Sequence, residues 1–470
     1  MLWNLSAFER RTALIAAQGT MTYGDLCAAA ERIAAPLRER TLVFLLACNS
    51  PAAIAGYVGF LQHGIVPVMV DAALDAELLM ALRTAYRPSY VWIPAERVAE
   101  FGAAREVLHW EEYVLLDLAE KDPFPLHDDL ALLMTTSGST GSPKLVRQSY
   151  ENLRANTESI VEYLHIDGAE RAVTNLPLHY VYGLSILNTH LAVGASIVVT
   201  ECTLFDRAFW TLMRKQNVTS FAGVPYTYEM LKRLRFFRMD LPALHTLTQA
   251  GGKLDPEIHR EFAEYAAAQG KSFVVMYGAA EATARMGYLP AQDAVRKTGA
   301  MGLAIPGGRF QLCDDAGAVI TAEDRIGELI YYGANVTLGY AECGADLALG
   351  DVRGGRYATG DLASRDADGY YTIVGRKRRF LKLFGKRTNL QETEHLLRRR
   401  FGDIEVACAG VDDHLYVFVT QEEIVPEVVP FLSGKLGVHH SAFTAKCIDV
   451  IPKNPSGKTV YRALEQYYDL

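Results

Sequence analysis

Unbroken apolar runs alternate with stretches of helical period along the first 130 residues. Thr41–Ala47 and Ile65–Val70 read as buried strands, and the alanine- and glycine-rich segment 51–62 between them reads as a helix. This βαβ rhythm predicts parallel strands covered on both faces. The rhythm resumes at Leu132-Leu133-Met134, an apolar run entering a polar loop, with a helical pattern starting after Ser149. Strand-like pieces at 171–176, 195–200, 218–223, 246–250 and 272–277 follow. Helical patterns at Phe205–Lys215, Tyr226–Arg235 and Pro256–Ala268 separate the later ones. The expectation is an α/β fold with two related layers stacked in one large N-terminal domain.

From about 299 to 374 the texture changes to many glycines and short alternating runs: Arg309–Cys313, Glu328–Tyr332 and Tyr370–Val374. These predict a small antiparallel β-barrel or sheet attached to the large domain. The charge run Arg376-Lys377-Arg378-Arg379 then marks a boundary, giving domains 1–375 and 376–470. The second reads as a strand, a helix Leu390–Phe401, strands Glu405–Ala409 and Leu415–Thr420, then a helix and a strand, a small α+β domain. The most membrane-like window, Pro51–Val70, is divided by Gln62, His63, Gly64 and Pro67, so a buried helix and strand explain it better than a membrane span.

Composition narrows the classes. With 470 residues, half of them hydrophobic, the chain can bury two or three domain cores. A net charge of −8 argues against a general nucleic-acid binder. From residue 376 on there are 15 Lys/Arg against 12 Asp/Glu, about +3, leaving the remainder near −11. Opposite signs suit a cap that closes on the larger domain, and solvated faces explain the same count. Seven scattered cysteines without a Cys-x-x-Cys pair suggest reduced thiols and neither a disulfide frame nor a zinc site. No basic region followed by an apolar block opens the chain, and the expectation is a cytoplasmic protein without stable membrane insertion.

The polar loop after Met134 carries the strongest chemical signal. Thr135-Thr136-Ser137-Gly138-Ser139-Thr140-Gly141-Ser142-Pro143-Lys144 packs hydroxyls and glycines ahead of a lysine. Backbone N–H groups and hydroxyls in such a loop can surround phosphate oxygens, and a lysine adds a point charge. The spacing is not that of a Walker loop. The chain's Gly457-Lys458-Thr459 would need glycine at 452, where Pro452 stands. Other stretches at loop positions can hold chemistry. In Tyr277-Gly278-Ala279-Ala280-Glu281 a ring can stack on a base and a carboxylate can hold magnesium. In Tyr357-Ala358-Thr359-Gly360-Asp361 an acid can bind ribose hydroxyls. Gly375–Gly385 joins the domains, and Pro452–Lys458 ends on a lysine. Taken singly, each is more often structural.

In this order and combination the set resembles the adenylate-forming superfamily of acyl-CoA synthetases, aryl acid ligases, adenylation domains and luciferases. The resemblance runs from Leu14-Ile15 and Thr22–Leu26 to Lys458. It implies that an acid and ATP form an acyl-adenylate and pyrophosphate, after which a thiol of CoA or of a carrier protein's phosphopantetheine takes the acyl group. It also implies roles: residues 135–144 on the β- and γ-phosphates, Glu281 on Mg²⁺, and Gly251, Gly252, Tyr277 and Gly278 around the adenine. Asp361 and Arg376 would hold the ribose, and Lys458 would meet the carboxylate and α-phosphate. Arg378 would be the hinge of a rotating lid, and Lys382 and Gly385 would line the thiol's entry. Tyr180, Tyr182, Gly183 and Tyr226 are expected at the acyl pocket.

Four departures stand out, one of them Arg378 at a hinge where the family commonly has Asp or Lys. Ala280 replaces the family's usual threonine, leaving Thr283 as a nearby hydroxyl. His179 lies one residue before the position where acyl-CoA synthetases often carry histidine. No aspartate sits in 177–183 to anchor a substrate ammonium, which argues against an α-amino acid. The expectation is a carboxylate–thiol ligase for a fatty, short-chain or aryl acid. The alternatives are an adenylation protein dedicated to a carrier protein, and a non-catalytic adenylate-binding scaffold.

Overall fold

The computed structural model describes the chain except residues 1, 38, 103, 121, 136–143, 378, 385, 403, 412, 455–456 and 469–470, and except the side chains of 380, 382, 386, 387, 389 and 392. The chain divides into two compact units. The first is Met1–Phe310 with Tyr331–Tyr357, and the second is Gln311–Ile330 with Ala358–Leu470.

Two large sheets form the first unit, as the two α/β layers anticipate. One has nine strands, in the order Leu303–Ala304, Gly287–Leu289, Ser272–Tyr277, Thr246–Gln249, Ser220–Gly223, Arg171–Val173, Ser196–Val198, Thr12–Ala16 and Gly19–Thr22. Its middle is parallel and its edges antiparallel. The other has eight, with Leu42–Ala47 and its parallel neighbours Val66–Asp71 and Tyr90–Pro94 at the centre. Leu130–Thr135 runs parallel to Val66–Asp71 and antiparallel to Leu145–Ser149.

The helix Pro51–Gln62 is buried because its sequence carries little that needs water. Pro51–Gln62 has no charged residue, and Ala52 to Leu61 are all buried. It starts where it does because the Ser50 hydroxyl accepts from the Ala53 N–H and Pro51 occupies the first turn, whose N–H would be unpaired anyway. Residues of Tyr23–Ala34, Pro51–Gln62 and Val181–Val193 share one apolar core with Leu14 and Ile197 of the nine-stranded sheet and Val43 and Leu45 of the eight-stranded one. Side chains buried this fully contribute roughly 1.5–3 kcal/mol each, which holds the layers in register and fixes the loops at the strand ends.

Most of a five-stranded sheet lies in the second unit, in the order Val319–Ile320, Arg309–Cys313, Gly327–Tyr332, Arg356–Arg365, Tyr371–Arg376. A hairpin, Phe380–Leu383 with Lys386–Asn389, leads into the helix Leu390–Phe401. Three strands, Val406–Val411, His414–Val419 and Phe443–Cys447, and the helix Val425–Leu436 complete the core. Each described member of the basic run has an acid partner, although Arg376 and Lys377 are exposed. Arg376 meets Asp361 at 2.8 Å, Lys377 meets Glu328 at 3.0 Å, and the half-buried Arg379 meets Glu394 at 2.8 Å. All seven cysteines are free. Among the described residues, no helix is long and apolar enough to cross a membrane.

Candidate active site

Parallel strands place their following loops on one edge of a sheet, and ligands of α/β proteins bind beyond those carboxyl ends. In the nine-stranded sheet that edge carries the loops after Arg171–Val173, Ser220–Gly223, Thr246–Gln249 and Ser272–Tyr277. They hold Tyr180, Val224, Gly251-Gly252 and Gly278–Glu281, so the sheet gathers stretches that lie up to about a hundred residues apart. Two glycines there are dictated by space. Gly251 has φ +87°, and a Cβ on it would stand 2.6 Å from the Tyr180 hydroxyl oxygen. A Cβ on Gly278 would stand 1.8 Å from the Ala284 carbonyl oxygen, so the turn carrying Glu281 cannot close with any larger residue.

Glu281 follows in a short 3₁₀ turn, Ala280–Ala282, tied down from behind. The Thr337 N–H and hydroxyl donate to its backbone carbonyl at 3.0 and 2.9 Å, and Arg353 donates to the same carbonyl at 3.3 Å. The Tyr340 hydroxyl donates to its carboxylate at 2.5 Å. Burial and the Glu281 charge push the Tyr340 phenol up to about 12, so it stays a donor at neutral pH. Lys144 Nζ lies 3.7 Å from the centroid of the Tyr340 ring and 3.4 Å from Glu342, while the Arg353 guanidinium lies 4.7 Å from that ring centroid. Two cations thus gather around a tyrosine that holds a carboxylate, a cluster suited to a polyanion accompanied by a metal ion.

Thr135 and Lys144 flank the predicted phosphate loop, and the pairing of Thr135 with Leu145 brings these described ends together. Thr136, Ser137, Gly138, Ser139, Thr140 and Gly141 lie outside the described residues. Ala280 packs its methyl against the core. Thr283, at φ +64°, donates its hydroxyl to the Asn335 carbonyl at 2.8 Å and is committed there. The Tyr277 ring lies 6.3 Å from that of Phe310.

The residues expected at the acyl pocket divide. Tyr182 is buried, its hydroxyl 2.8 Å from that of Thr248, and it lines a cavity between the helices Tyr150–Leu164 and Val181–Val193 and the sheet. Tyr180 packs beside it, ring centroids 6.2 Å apart. Gly183 lies against the Pro177 carbonyl, and Tyr226 is 42% exposed at the start of its helix. His179 lies 3.6 Å from Asp71, and burial lowers its pKa more than Asp71 raises it.

In the second unit, Asp361 and Arg376 face each other across neighbouring strands, Arg376 Nε donating to Asp361 Oδ1 at 2.8 Å. Gly360, at φ +70°, turns the chain into Asp361. Lys458 ends a turn in which its N–H donates to the Asn454 side chain at 2.9 Å and its carbonyl accepts from the Asn454 N–H at 2.8 Å. Arg378 and Gly385 lie outside the described residues. Lys382 is described in its backbone alone, paired with Arg387.

Among the described residues no group of three or more metal-ligating side chains exists. A lone carboxylate still fits magnesium, which keeps several waters and usually takes one or two carboxylates plus the phosphates of its nucleotide. Tyr340, Arg353 and Thr337 went unread in the sequence because no local pattern sets them apart. They reach Glu281 from 56 to 72 residues away.

The chain belongs to the AMP-binding enzyme family, whose model matches residues 2–341. It is 26% identical to the indoleacetate–CoA ligase of Aromatoleum aromaticum over 95% of this chain and 93% of that one. It is 27% identical to a feruloyl-CoA synthase of an Amycolatopsis species over 93% and 92%. The fold matches the crystal structure of ATP-bound MatB from Rhodopseudomonas palustris with a TM-score of 0.79 at 22% identity, covering 98% of this chain and 96% of that one.

Proposed function

We propose that this protein activates a carboxylic acid with ATP and passes the acyl group to a thiol. A carboxylate oxygen attacks the α-phosphorus, the bond to the bridging oxygen breaks, and pyrophosphate leaves. The thiol sulfur then attacks the acyl carbon, AMP departs, and the thiol proton goes to solvent. The observation that carries this reading is the cluster of Lys144, Arg353, Tyr340 and Glu281 beside the Gly278 turn, because an attack between two anions needs fixed positive charge around the phosphates.

Residues 135–144 hold the β- and γ-phosphates in this reading, and Gly251, Gly252, Gly278 and Tyr277 surround the adenine. Glu281 is the magnesium ligand, and bound magnesium neutralises charge on the phosphate oxygens. Asp361 accepts from the ribose hydroxyls, with Arg376 orienting its carboxylate. Lys458 supplies charge at the α-phosphate and the acid's carboxylate. Residues 376–470 act as a lid turning at Arg378, and the face around Lys382 and Gly385 admits the thiol.

The relatives named as ligases of indoleacetate and synthases of feruloyl-CoA support CoA as acceptor and a non-amino, aryl-bearing acid as substrate. A protein reserved for a carrier protein remains the rival reading, and a scaffold without activity is disfavoured by the intact Lys144, Glu281, Asp361 and Lys458. ATP–pyrophosphate exchange over a panel of acids, followed by CoA or a holo carrier protein, tests the proposal. Exchange confined to α-amino acids defeats the substrate class, and acyl transfer to the carrier alone defeats CoA. Lys458→Ala is expected to lower adenylation by about 10²–10³-fold and to leave thioester formation from preformed acyl-adenylate near wild type.

A further inference from the structure

Within the cavity lined by Tyr182 stands a guanidinium that the fold answers only in part. Arg285 is 3% exposed, and its backbone is clamped: its N–H donates to Asn156 Oδ1 at 3.2 Å, and its carbonyl accepts from Asn156 and Asn335 at 2.9 and 2.8 Å. Its side chain is less provided for. Cζ lies 3.9 Å from the centroid of the Tyr182 ring, and Nη1 reaches the neighbouring Ala284 carbonyl at 3.3 Å. Nε is buried without a hydrogen-bond partner. No carboxylate among the described residues forms an ion pair with it. The Tyr163 hydroxyl also interacts with the guanidinium, but a buried cation met only by neutral groups, with Nε unpaired, is an unfavourable arrangement for stability alone.

The cavity has a volume of about 40 Å³, room for several water-sized groups where one needs roughly 10–15 Å³. Arg285, Tyr182, Thr248 and Met276 line the part nearer the carboxyl ends of the strands. Glu170 is the single carboxylate among its lining residues. Strand register sets it four residues before the level of Thr248, and it is engaged by the Thr219 hydroxyl and lies 3.5 Å from His245. On the other side, Tyr182 adjoins Tyr180, which abuts Gly251. A chain of contacts therefore leads from the glycine turn at the proposed nucleotide site to Arg285.

We propose that Arg285 selects an acid bearing a second anionic group, a carboxylate or a sulfonate, at the end remote from the reacting carboxylate. The inference rests on the acid-activating function proposed above. A guanidinium offers donors in a planar fork that matches such a group, and a small anion entering the cavity supplies the partner that the protein withholds. Arg285 acts here as a specificity determinant by direct contact.

Matched probes decide it: glutarate against pentanoate, and benzene-1,4-dicarboxylate against 4-methylbenzoate, in ATP–pyrophosphate exchange with the full chain. The diacid of at least one pair is expected to exceed its partner by about 100-fold in kcat/KM. Arg285→Met is expected to reverse that preference, and Arg285→Lys to keep part of it. The better diacid is also expected to raise the melting temperature of the wild type and not of Arg285→Met, a readout that needs no turnover. Equal use of both members of each pair, or a preference unchanged in Arg285→Met, overturns the inference. If no acid supports exchange while the diacid still stabilises only proteins with Arg285, the activation reading fails and the anion site stands. If neither signal appears, both fall.

Discussion

Two arginines of the first unit are withdrawn from water to the same degree, and their surroundings are opposite. Arg147, in the middle of the strand Leu145–Ser149, is 0% exposed, and Arg285 is 3% exposed. The guanidinium of Arg147 donates to the carbonyls of Tyr340 and Leu338 at 3.0 Å each, to Gly350 at 3.2 Å and to Leu349. It pins the strand Gly339–Ala341 and the turn beyond it to the sheet, which in turn places Tyr340 over Glu281. Arg285 has a ring beneath it and a donor left open. Burial alone does not separate a structural cation from a binding one; the count of answered donors does.

The largest effect expected from breaking this contrast belongs to Arg147→Met. It strips several buried carbonyls of their donor and is expected to cost about 3–5 kcal/mol, read as a lower urea midpoint for the first unit.

The next concerns His190, which lines the same cavity as Arg285 and shares its half-answered state. One ring nitrogen, Nδ1, lies 2.9 Å from the Ile186 carbonyl, and Nε2 has no partner. Burial lowers the pKa to about 4 from 6.5. The unfolded chain therefore takes up a proton near pH 6.5 that the folded chain refuses until about pH 4. Above pH 6.5 the group has no effect. As pH falls from 6.5 to 4 it removes up to about 3 kcal/mol of stability. His190→Gln is expected to flatten the acid limb of a melting-temperature profile over that window. A mutant profile parallel to the wild type removes His190 from the account.

Tyr340→Phe deletes the hydrogen bond to Glu281 and keeps the ring between Lys144 and Arg353. It is expected to lower adenylation about five- to tenfold, near 1 kcal/mol, with the melting temperature unmoved. Arg285→Met is the smallest, within about 1 kcal/mol of the wild type in stability or above it, because an unpartnered buried charge is removed. A destabilisation as deep as that of Arg147→Met erases the contrast between the two arginines.

The architecture was largely legible because most of its strands and helices obey simple patterns. Pro256–Ala268 matches its expected bounds, since Asp255 caps it and proline opens it, and Leu390–Phe401 also matches. Strands expected at 171–176 and 195–200 are shorter, Arg171–Val173 and Ser196–Val198. The strand Leu145–Ser149 has no signature in the apolar pattern, for the reason that makes Arg147 informative. Arg147 and Gln148 are buried polar residues that break the apolar pattern, and their partners come from distant segments. Motifs such as Gly278–Glu281 and Gly360-Asp361 were readable because tight turns leave glycines. Arg285 carries no such mark: only the folded chain shows that its Nε is left without a partner.

A single-turnover reaction without any thiol isolates the adenylation step. With ATP, magnesium and an accepted acid, the protein is expected to release pyrophosphate and to accumulate acyl-adenylate in equal amounts, neither appearing when the acid is omitted. Release of phosphate and ADP, or pyrophosphate formed without acid, contradicts the account.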